Sequence, residues 1–267
     1  MNKSLSVFFV IVIPFLLTNA QSISGVPEWN EYFSDYGING SFLLYDMNNE
    51  IFYSNNEGRS LERFIPASTF KIPNSLIALE TGVLKDENEI IKWDGVKRSY
   101  DFWNKDHNLR SAISVSAVWF YQELARRIGA ERMKEYLDKF DYGNMDIDGG
   151  IDRFWLDGEL RISPLEQIQF LLKFYKNELP ISQKNTDIVK EIIIIEKTDS
   201  TILRAKTGWG ARFDKQVGWY VGYFEYDDNI YFFANNIDIE KDEDANARYL
   251  ITKQILSEFV LNRKNEK

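Results

Sequence analysis

The sequence predicts an α/β (α+β) fold: an antiparallel sheet of five or more strands, flanked by terminal helices, with an all-α subdomain inserted between its halves. Three observations carry this expectation. Short apolar-aromatic runs with strand character stand towards both ends of the 267 residues. Helical periodicity dominates the middle. No internal repeat or low-complexity linker divides the chain, so the two strand-rich ends are expected to share one sheet. A hydrophobic fraction of 44%, rich in Phe and Tyr, suffices for a sizeable core.

The elements follow in order. Residues 1–20 read as a secretory signal peptide. Lys3 gives a positive start, Leu5 to Leu17 form an apolar stretch broken by Ser6 and Pro14, and Thr18-Asn19-Ala20 offers a small-residue cleavage site before Gln21. The apolar stretch is too short for a comfortable membrane span. The remainder, 21–267, is expected to be one domain, exported to the periplasm, without stable membrane association. Its strand-bearing part covers about 21–84 and 196–267, its helical part about 85–195.

Residues 41–46 and 51–54 are short apolar-aromatic runs separated by Met47-Asn48-Asn49-Glu50, which suits a hairpin. A helix is expected to begin near Pro66, with Ile72, Leu76, Ile77 and Leu79 on its apolar face. Pro73 falls early enough to be tolerated. Ala117 to Ile128 carries Val118, Tyr121, Leu124, Ala125 and Ile128 at helical spacing, and Gly129 ends it. Met133, Tyr136, Leu137 and Phe140 repeat the pattern. Ser163-Pro164-Leu165-Glu166 combines an N-cap serine, a proline at the first helical position and a glutamate that closes a capping box. Thr201–Lys206, Gln216–Tyr226 and Asn229–Asn235 read as strands, the second alternating Val217, Trp219, Val221 and Tyr223, with Asp227-Asp228 as a turn. A last helix spans about Asp244 to Leu261, with Tyr249, Ile251, Ile255 and Phe259 inward.

Composition removes several functions. A net charge of −9 argues against nucleic acid or an anionic membrane as the main partner. The absence of cysteine removes disulfides, thiolate metal sites and Cys nucleophiles. The one histidine, His107, cannot furnish a His-rich zinc site, so no metal is expected. His107 lies in the polar stretch Asn104–Asn108, which suggests a surface loop rather than a Ser-His-Asp triad.

Three short motifs carry chemistry. In Pro66-Ala67-Ser68-Thr69-Phe70-Lys71, residues three apart share a helix face, so Lys71 reaches back to the Ser68 hydroxyl. Serine is a poor nucleophile until a neighbouring base takes its proton. Lys206-Thr207-Gly208 ends a strand: glycine admits a substrate close to the backbone, and Lys and Thr can bind a carboxylate. Ser116-Ala117-Val118 lies between them in sequence, where a serine is ordinarily just an N-cap. Each motif alone is weak.

Together they are specific. S-x-x-K, S-x-V about fifty residues later and K-T-G about ninety further on resemble the active site of the penicillin-recognising serine enzymes. S-x-V in place of S-D-N points to the class D, or oxacillinase-type, β-lactamases. Tyr142-Gly143-Asn144 is similar to that class's Y-G-N box, and Trp155-Leu156-Asp157-Gly158 to its W-x-x-G segment. The resemblance spans essentially the whole mature chain.

It implies roles for individual positions. Ser68 resembles the acylated nucleophile. Lys71 is similar to the lysine that takes up carbon dioxide as an N-carboxylate and serves as general base; no other cofactor is implied. Val118 and Phe70 would keep its pocket dry, and Trp155 would donate its indole N–H. Ser116 resembles the proton shuttle to the lactam nitrogen. The backbone N–H groups of Ser68 and Trp209 would form the oxyanion hole. Arg248, with Lys206 and Thr207, would hold the substrate carboxylate. Tyr142 and Asn144 are expected beside the pocket. The implied substrates are small-molecule β-lactams, and the implied function is antibiotic resistance. A β-lactam sensor or a D,D-peptidase would share the acylating serine without efficient turnover. A class A mechanism would need a water-activating glutamate, with Glu159 and Glu166 as candidates.

Overall fold

The computed structural model describes residues 22–265, with side chains to Val260. The signal-like residues 1–20 lie outside that range. The elements run β1 (Ile23–Gly25), α1 (Asn30–Ser34), β2 (Gly40–Asp46), β3 (Ile51–Ser54), α2 (Glu57–Leu61), α3 (Lys71–Glu80), α4 (Leu109–Ser114), α5 (Val118–Ile128), α6 (Ala130–Phe140), α7 (Pro164–Tyr175), α8 (Gln183–Ile192), β4 (Ile194–Lys197), β5 (Thr201–Gly210), β6 (Gln216–Tyr226), β7 (Asn229–Ile239) and α9 (Ala247–Asn265).

The strands form a seven-stranded sheet in the order β1-β3-β2-β7-β6-β5-β4. The five strands read from the sequence are its contiguous middle. The two edge strands add to that expectation, and one of them departs from it, because β1 pairs with β3 in parallel. The remaining pairings are antiparallel.

Both faces of the sheet are covered. Phe42, Leu44, Tyr220 and Phe233 on one face pack with Ile251, Ile255, Leu256 and Val260 of α9 and with Trp29 and Phe33 near the N-terminus. Leu43, Trp219, Val221, Tyr223 and Phe232 on the other face pack towards α3, α5 and α7. Every residue of β2 is consequently buried, since side chains of either parity meet a helical layer. Burying a Leu, Ile or Phe completely stabilises the fold by about 1.5–3 kcal/mol. Tyr249 and Phe259, expected inward on α9, are only half-buried.

Local signals place the helix ends. Ser163 Oγ accepts from the Glu166 N–H and the Glu166 carboxylate accepts from the Ser163 N–H, so the capping box holds α7. Helix α5 starts at Val118 with Ala117 as its N-cap, one residue later than expected. The segment near Asp244 is a short 3-10 turn before α9.

His107 is a correction. It is 1% exposed, not on the surface. Its backbone forms a bridge with Ile91, and this extended stretch turns Lys105 and Asp106 to solvent while the imidazole faces inward. The ring is hydrogen-bonded at both nitrogens, to Ser111 Oγ at 2.9 Å and the Phe102 carbonyl at 3.0 Å. A polar ring with both nitrogens satisfied can be buried at little cost. No helix among the described residues is long and apolar enough to cross a membrane.

Candidate active site

Ser68 sits in a 3-10 turn, Ala67–Phe70, that runs straight into α3. The turn is held from several sides. Thr69 Oγ1 donates to the Pro66 carbonyl at 2.8 Å and accepts from Gln167 Nε2 at 2.8 Å. Ala67 adopts φ +48°, a left-handed conformation that an L-residue keeps only where its surroundings enforce it. Strand β5 passes directly over the turn. A Cβ on Gly208 would lie 2.9 Å from the Pro66 carbonyl oxygen and 3.1 Å from Thr69 Cγ2, so the glycine of Lys206-Thr207-Gly208 is required for this approach.

Lys71 Nζ and Ser68 Oγ are hydrogen-bonded at 2.6 Å, as the three-residue spacing requires. Lys71 is 1% exposed. Burial pushes its ammonium well below the usual lysine range, and the positive charge of Lys206 adds to the shift. The Lys71 amine also lies 5.3 Å from the centre of the Tyr121 ring. Tyr121 Oη meets Ser75 Oγ at 3.0 Å, and Ser75 Oγ donates to the Lys71 carbonyl at 2.7 Å.

Phe70, which precedes this lysine in the chain, sits in an aromatic cluster. Phe70 stacks on Trp155 at 5.3 Å and meets Phe154 and Tyr142 edge-on. Trp155 is fully buried, and its indole N–H has no hydrogen-bond partner among the described residues. A buried donor without an acceptor costs about 1–3 kcal/mol, so this position calls for one. The Ser116 hydroxyl is likewise buried and without a partner.

Above the pair opens a cleft of about 580 Å³, lined by Ser68, Ser116, Val118, Thr207, Gly208, Trp209 and Arg248. Its β5 side is cationic. Lys206 Nζ donates to the Thr207 carbonyl at 3.0 Å, and an Arg248 N–H donates to the Gly208 carbonyl at 3.2 Å. Burial, then the charge of Arg248, lowers Lys206 to about 7, and burial lowers Arg248 to about 10. Two desolvated cations side by side favour a bound anion. The Ala205 N–H bonds the Ile193 carbonyl across the β4 edge. Strand alternation turns the Trp209 N–H to the same edge, beyond the end of β4, where β5 meets the Ser68 turn. The Trp209 indole itself is tied to Gln216 Oε1 at 2.8 Å.

Tyr142 and Asn144 stand behind the cleft. Tyr142 is buried against Phe70 and Phe170. Asn144 splices two loops, donating to the Glu159 carbonyl and accepting from the Arg161 N–H, both at 2.8 Å. Gly143 between them has φ +60°, and a side chain there would collide with the Arg161 carbonyl. Glu159 is exposed, and Glu166 is committed to its capping box and to Arg63; neither lines the cleft. Sequence reasoning did not single out Arg98, Tyr100, Phe102 or Trp119, which also line the cleft. Isolated aromatic and charged residues carry no pattern that marks them.

A second groove, about 320 Å³ between β5, β6 and α9, is mainly apolar, and among its described residues no lysine is hydrogen-bonded to a serine. The chemistry therefore belongs to the Ser68 cleft. A hydrogen-bonded Ser-Lys pair under a cationic strand edge, in a mixed domain of this topology, defines a penicillin-recognising serine enzyme, and the family model described as the penicillin binding protein transpeptidase domain matches residues 40–259.

The individual relatives narrow this class. The chain is 45% identical to β-lactamase OXA-48 of Klebsiella pneumoniae, over 95% of this chain and 96% of that one. Two crystal structures are similar to it. One, a class D β-lactamase YbXI from Nostoc, is 49% identical with a TM-score of 0.83, covering 85% of this chain and 95% of its own. The other, the class D β-lactamase FUS-1 (OXA-85) of Fusobacterium nucleatum subsp. polymorphum, is 43% identical with a TM-score of 0.86, covering 88% and 98%. The chain belongs to the class D β-lactamases.

Proposed function

We propose that this chain hydrolyses β-lactam antibiotics through an acyl-enzyme on Ser68. The observation that carries the reading is the 2.6 Å contact between Ser68 Oγ and a lysine that burial holds towards its neutral form. Ser68 Oγ attacks the lactam carbonyl carbon while its proton passes to the base at Lys71. The N–H groups of Ser68 and Trp209 stabilise the oxyanion. The C–N bond breaks, and Ser116 relays a proton to the departing nitrogen. Water then attacks the ester and frees Ser68.

The surroundings of Lys71 fit an N-carboxylate formed with carbon dioxide: a buried, readily neutral amine, an aromatic cluster around the adjacent Phe70 and an unpartnered Trp155 N–H. When present, that group supplies an anionic general base for both half-reactions. Trp155 would donate to it, and Val118 and Phe70 would exclude competing water. Arg248, Lys206 and Thr207 bind the carboxylate of the substrate. The same reading makes the protein an antibiotic-resistance enzyme of the periplasm, supported by Lys3, the apolar stretch Leu5–Leu17 and the small residue Ala20.

Turnover of a chromogenic cephalosporin tests the activity. Continuous hydrolysis at many equivalents per enzyme is expected. One stoichiometric burst followed by a stable adduct would instead identify a sensor or peptidase. Arg248→Ala tests the binding side. Its lost charge-assisted hydrogen bond should cost about 1.5–3 kcal/mol, or about 10–100-fold in kcat/KM for carboxylate-bearing β-lactams. Melting should hardly move: the lost guanidinium bond to the Gly208 carbonyl is offset by relief of a desolvated cation, and Asn235 and Thr252 still bond the Arg248 backbone carbonyl. Unchanged kinetics with a lowered Tm would make Arg248 structural.

A further inference from the structure

Ser116 adopts a strained backbone at the C-terminal cap of α4. Ser116 has φ +54°, a left-handed conformation disfavoured for an L-residue. Its Oγ is buried with no partner among the described residues, so no side-chain hydrogen bond from them holds it there. The Ala117 N–H caps α4 by donating to the Ala112 carbonyl at 2.9 Å, which accounts for the left-handed turn, and the peptide plane before Ser116 fixes it further, because rotation of that plane is rotation about φ of Ser116. The plane is clamped at both ends. The Ser116 N–H donates to the Ile113 carbonyl at 3.2 Å, and the Val115 carbonyl accepts from the Trp103 indole N–H at 2.9 Å.

Trp103 is itself fixed by a second clamped plane. Its N–H donates to the Tyr100 carbonyl at 2.9 Å, and the Phe102 carbonyl of the same plane meets His107 Nε2 at 3.0 Å. A carbonyl only accepts, so Nε2 carries the hydrogen and Nδ1 accepts from Ser111 Oγ at 2.9 Å. The Trp103 carbonyl is held in turn by the Trp119 indole N–H at 2.8 Å, and the Trp119 ring lies 6.0 Å from that of His107. A continuous series of contacts therefore runs from His107 through the Phe102–Trp103 peptide and the Trp103 indole to the Val115–Ser116 peptide.

We infer that Trp103 and His107 are positioning residues for Ser116: the indole N–H of Trp103 braces the peptide plane before the serine, beyond what the cap of α4 supplies, and His107 keeps the indole in place. The inference rests on the reading of Ser116 as the proton relay. The chain's only histidine thus acts through structure, not as an acid or base.

The test is single-turnover ring opening of a chromogenic cephalosporin by Trp103→Phe, Ser116→Ala and the double variant. Trp103→Phe keeps a ring in the cleft and removes only the donor and some area. It should slow acylation about tenfold, the scale of one lost hydrogen bond, with little change in substrate affinity. On the Ser116→Ala background, itself slow, the same substitution should have no further effect on acylation. An equal slowing in both backgrounds, or a loss of affinity alone, overturns the inference, because Trp103 then acts directly on substrate. Full activity of Ser116→Ala removes the relay reading and the inference with it, a result distinct from an inert Trp103→Phe beside a crippled Ser116→Ala. His107→Gln retains a donor near the Phe102 carbonyl and should keep most of the rate, whereas His107→Leu should match Trp103→Phe. Equal loss in the two His107 variants refutes the role of His107. Should His107→Leu not fold, His107→Gln against wild type decides: a tenfold loss in it refutes that role, and near-normal acylation supports it.

Discussion

Ser68→Ala is expected to abolish turnover while leaving the fold and the cleft in place. The Ser68 side chain is only partly buried, and its hydroxyl makes one side-chain contact, to Lys71 Nζ. Thr69, Gln167 and Gly208 hold the turn independently of it. Melting should therefore move little. The rate should fall on the order of 10⁶-fold, the scale seen when a serine hydrolase loses its nucleophile. Substrate should still bind, because Lys206, Thr207 and Arg248 remain. Intact-mass measurement separates these effects. Wild type mixed with a slow β-lactam should gain the mass of one substrate, and Ser68→Ala should gain none. A folded Ser68→Ala variant that still turns over would place the nucleophile elsewhere and dissolve the assignment.

How much of this was legible in the sequence depended on the range over which each feature is determined. The Ser68–Lys71 contact is one helical turn, so spacing alone dictates it. The capping box at Ser163 and Glu166 is equally local. The five central strands were visible because runs such as Val217–Tyr223 repeat large apolar residues at every second position, although both faces of that strand are buried. Strand β1 has three residues and no alternation, and β4 begins inside the run Ile192–Ile195, where periodicity cannot separate a helix end from a strand start. His107 was misread because its sequence neighbours are polar, while its burial comes from a backbone bridge to Ile91, sixteen residues away. The contact of Arg248 with Gly208 joins α9 to β5, and nothing local to either segment encodes it; only resemblance suggested it. The unpartnered hydroxyl of Ser116 and indole N–H of Trp155 could not be read at all, since a missing partner is a property of the assembled core.

That orphaned indole underlies the other large expected effect. Activity should depend on dissolved carbon dioxide through Lys71. An ordinary lysine, with a pKa of about 10.4, is protonated at neutral pH and cannot take a proton from serine. Burial lowers the pKa of Lys71, so the neutral amine is populated in the folded protein. The neutral form is also the one that captures carbon dioxide. Acid opposes both steps: it protonates the amine and returns the N-carboxylate to amine and carbon dioxide. Degassed, mildly acidic buffer should therefore inactivate the enzyme, and bicarbonate should restore it, with the amount needed rising as pH falls. Lys71→Ala should acylate poorly and deacylate hardly at all, and bicarbonate should not rescue it. For Trp155, phenylalanine is the cleaner substitution, because truncating a buried Trp to alanine costs about 3–5 kcal/mol of packing. Trp155→Phe keeps the stack on Phe70 and removes only the N–H and part of the ring, so it should need more bicarbonate than wild type to reach half its maximal rate. Carbon-13 bicarbonate gives a readout independent of turnover: a carbamate resonance in wild type that weakens in Trp155→Phe and vanishes in Lys71→Ala. If no such resonance forms and degassing leaves the rate untouched, Lys71 works as a plain amine and the unpaired N–H of Trp155 needs a different acceptor.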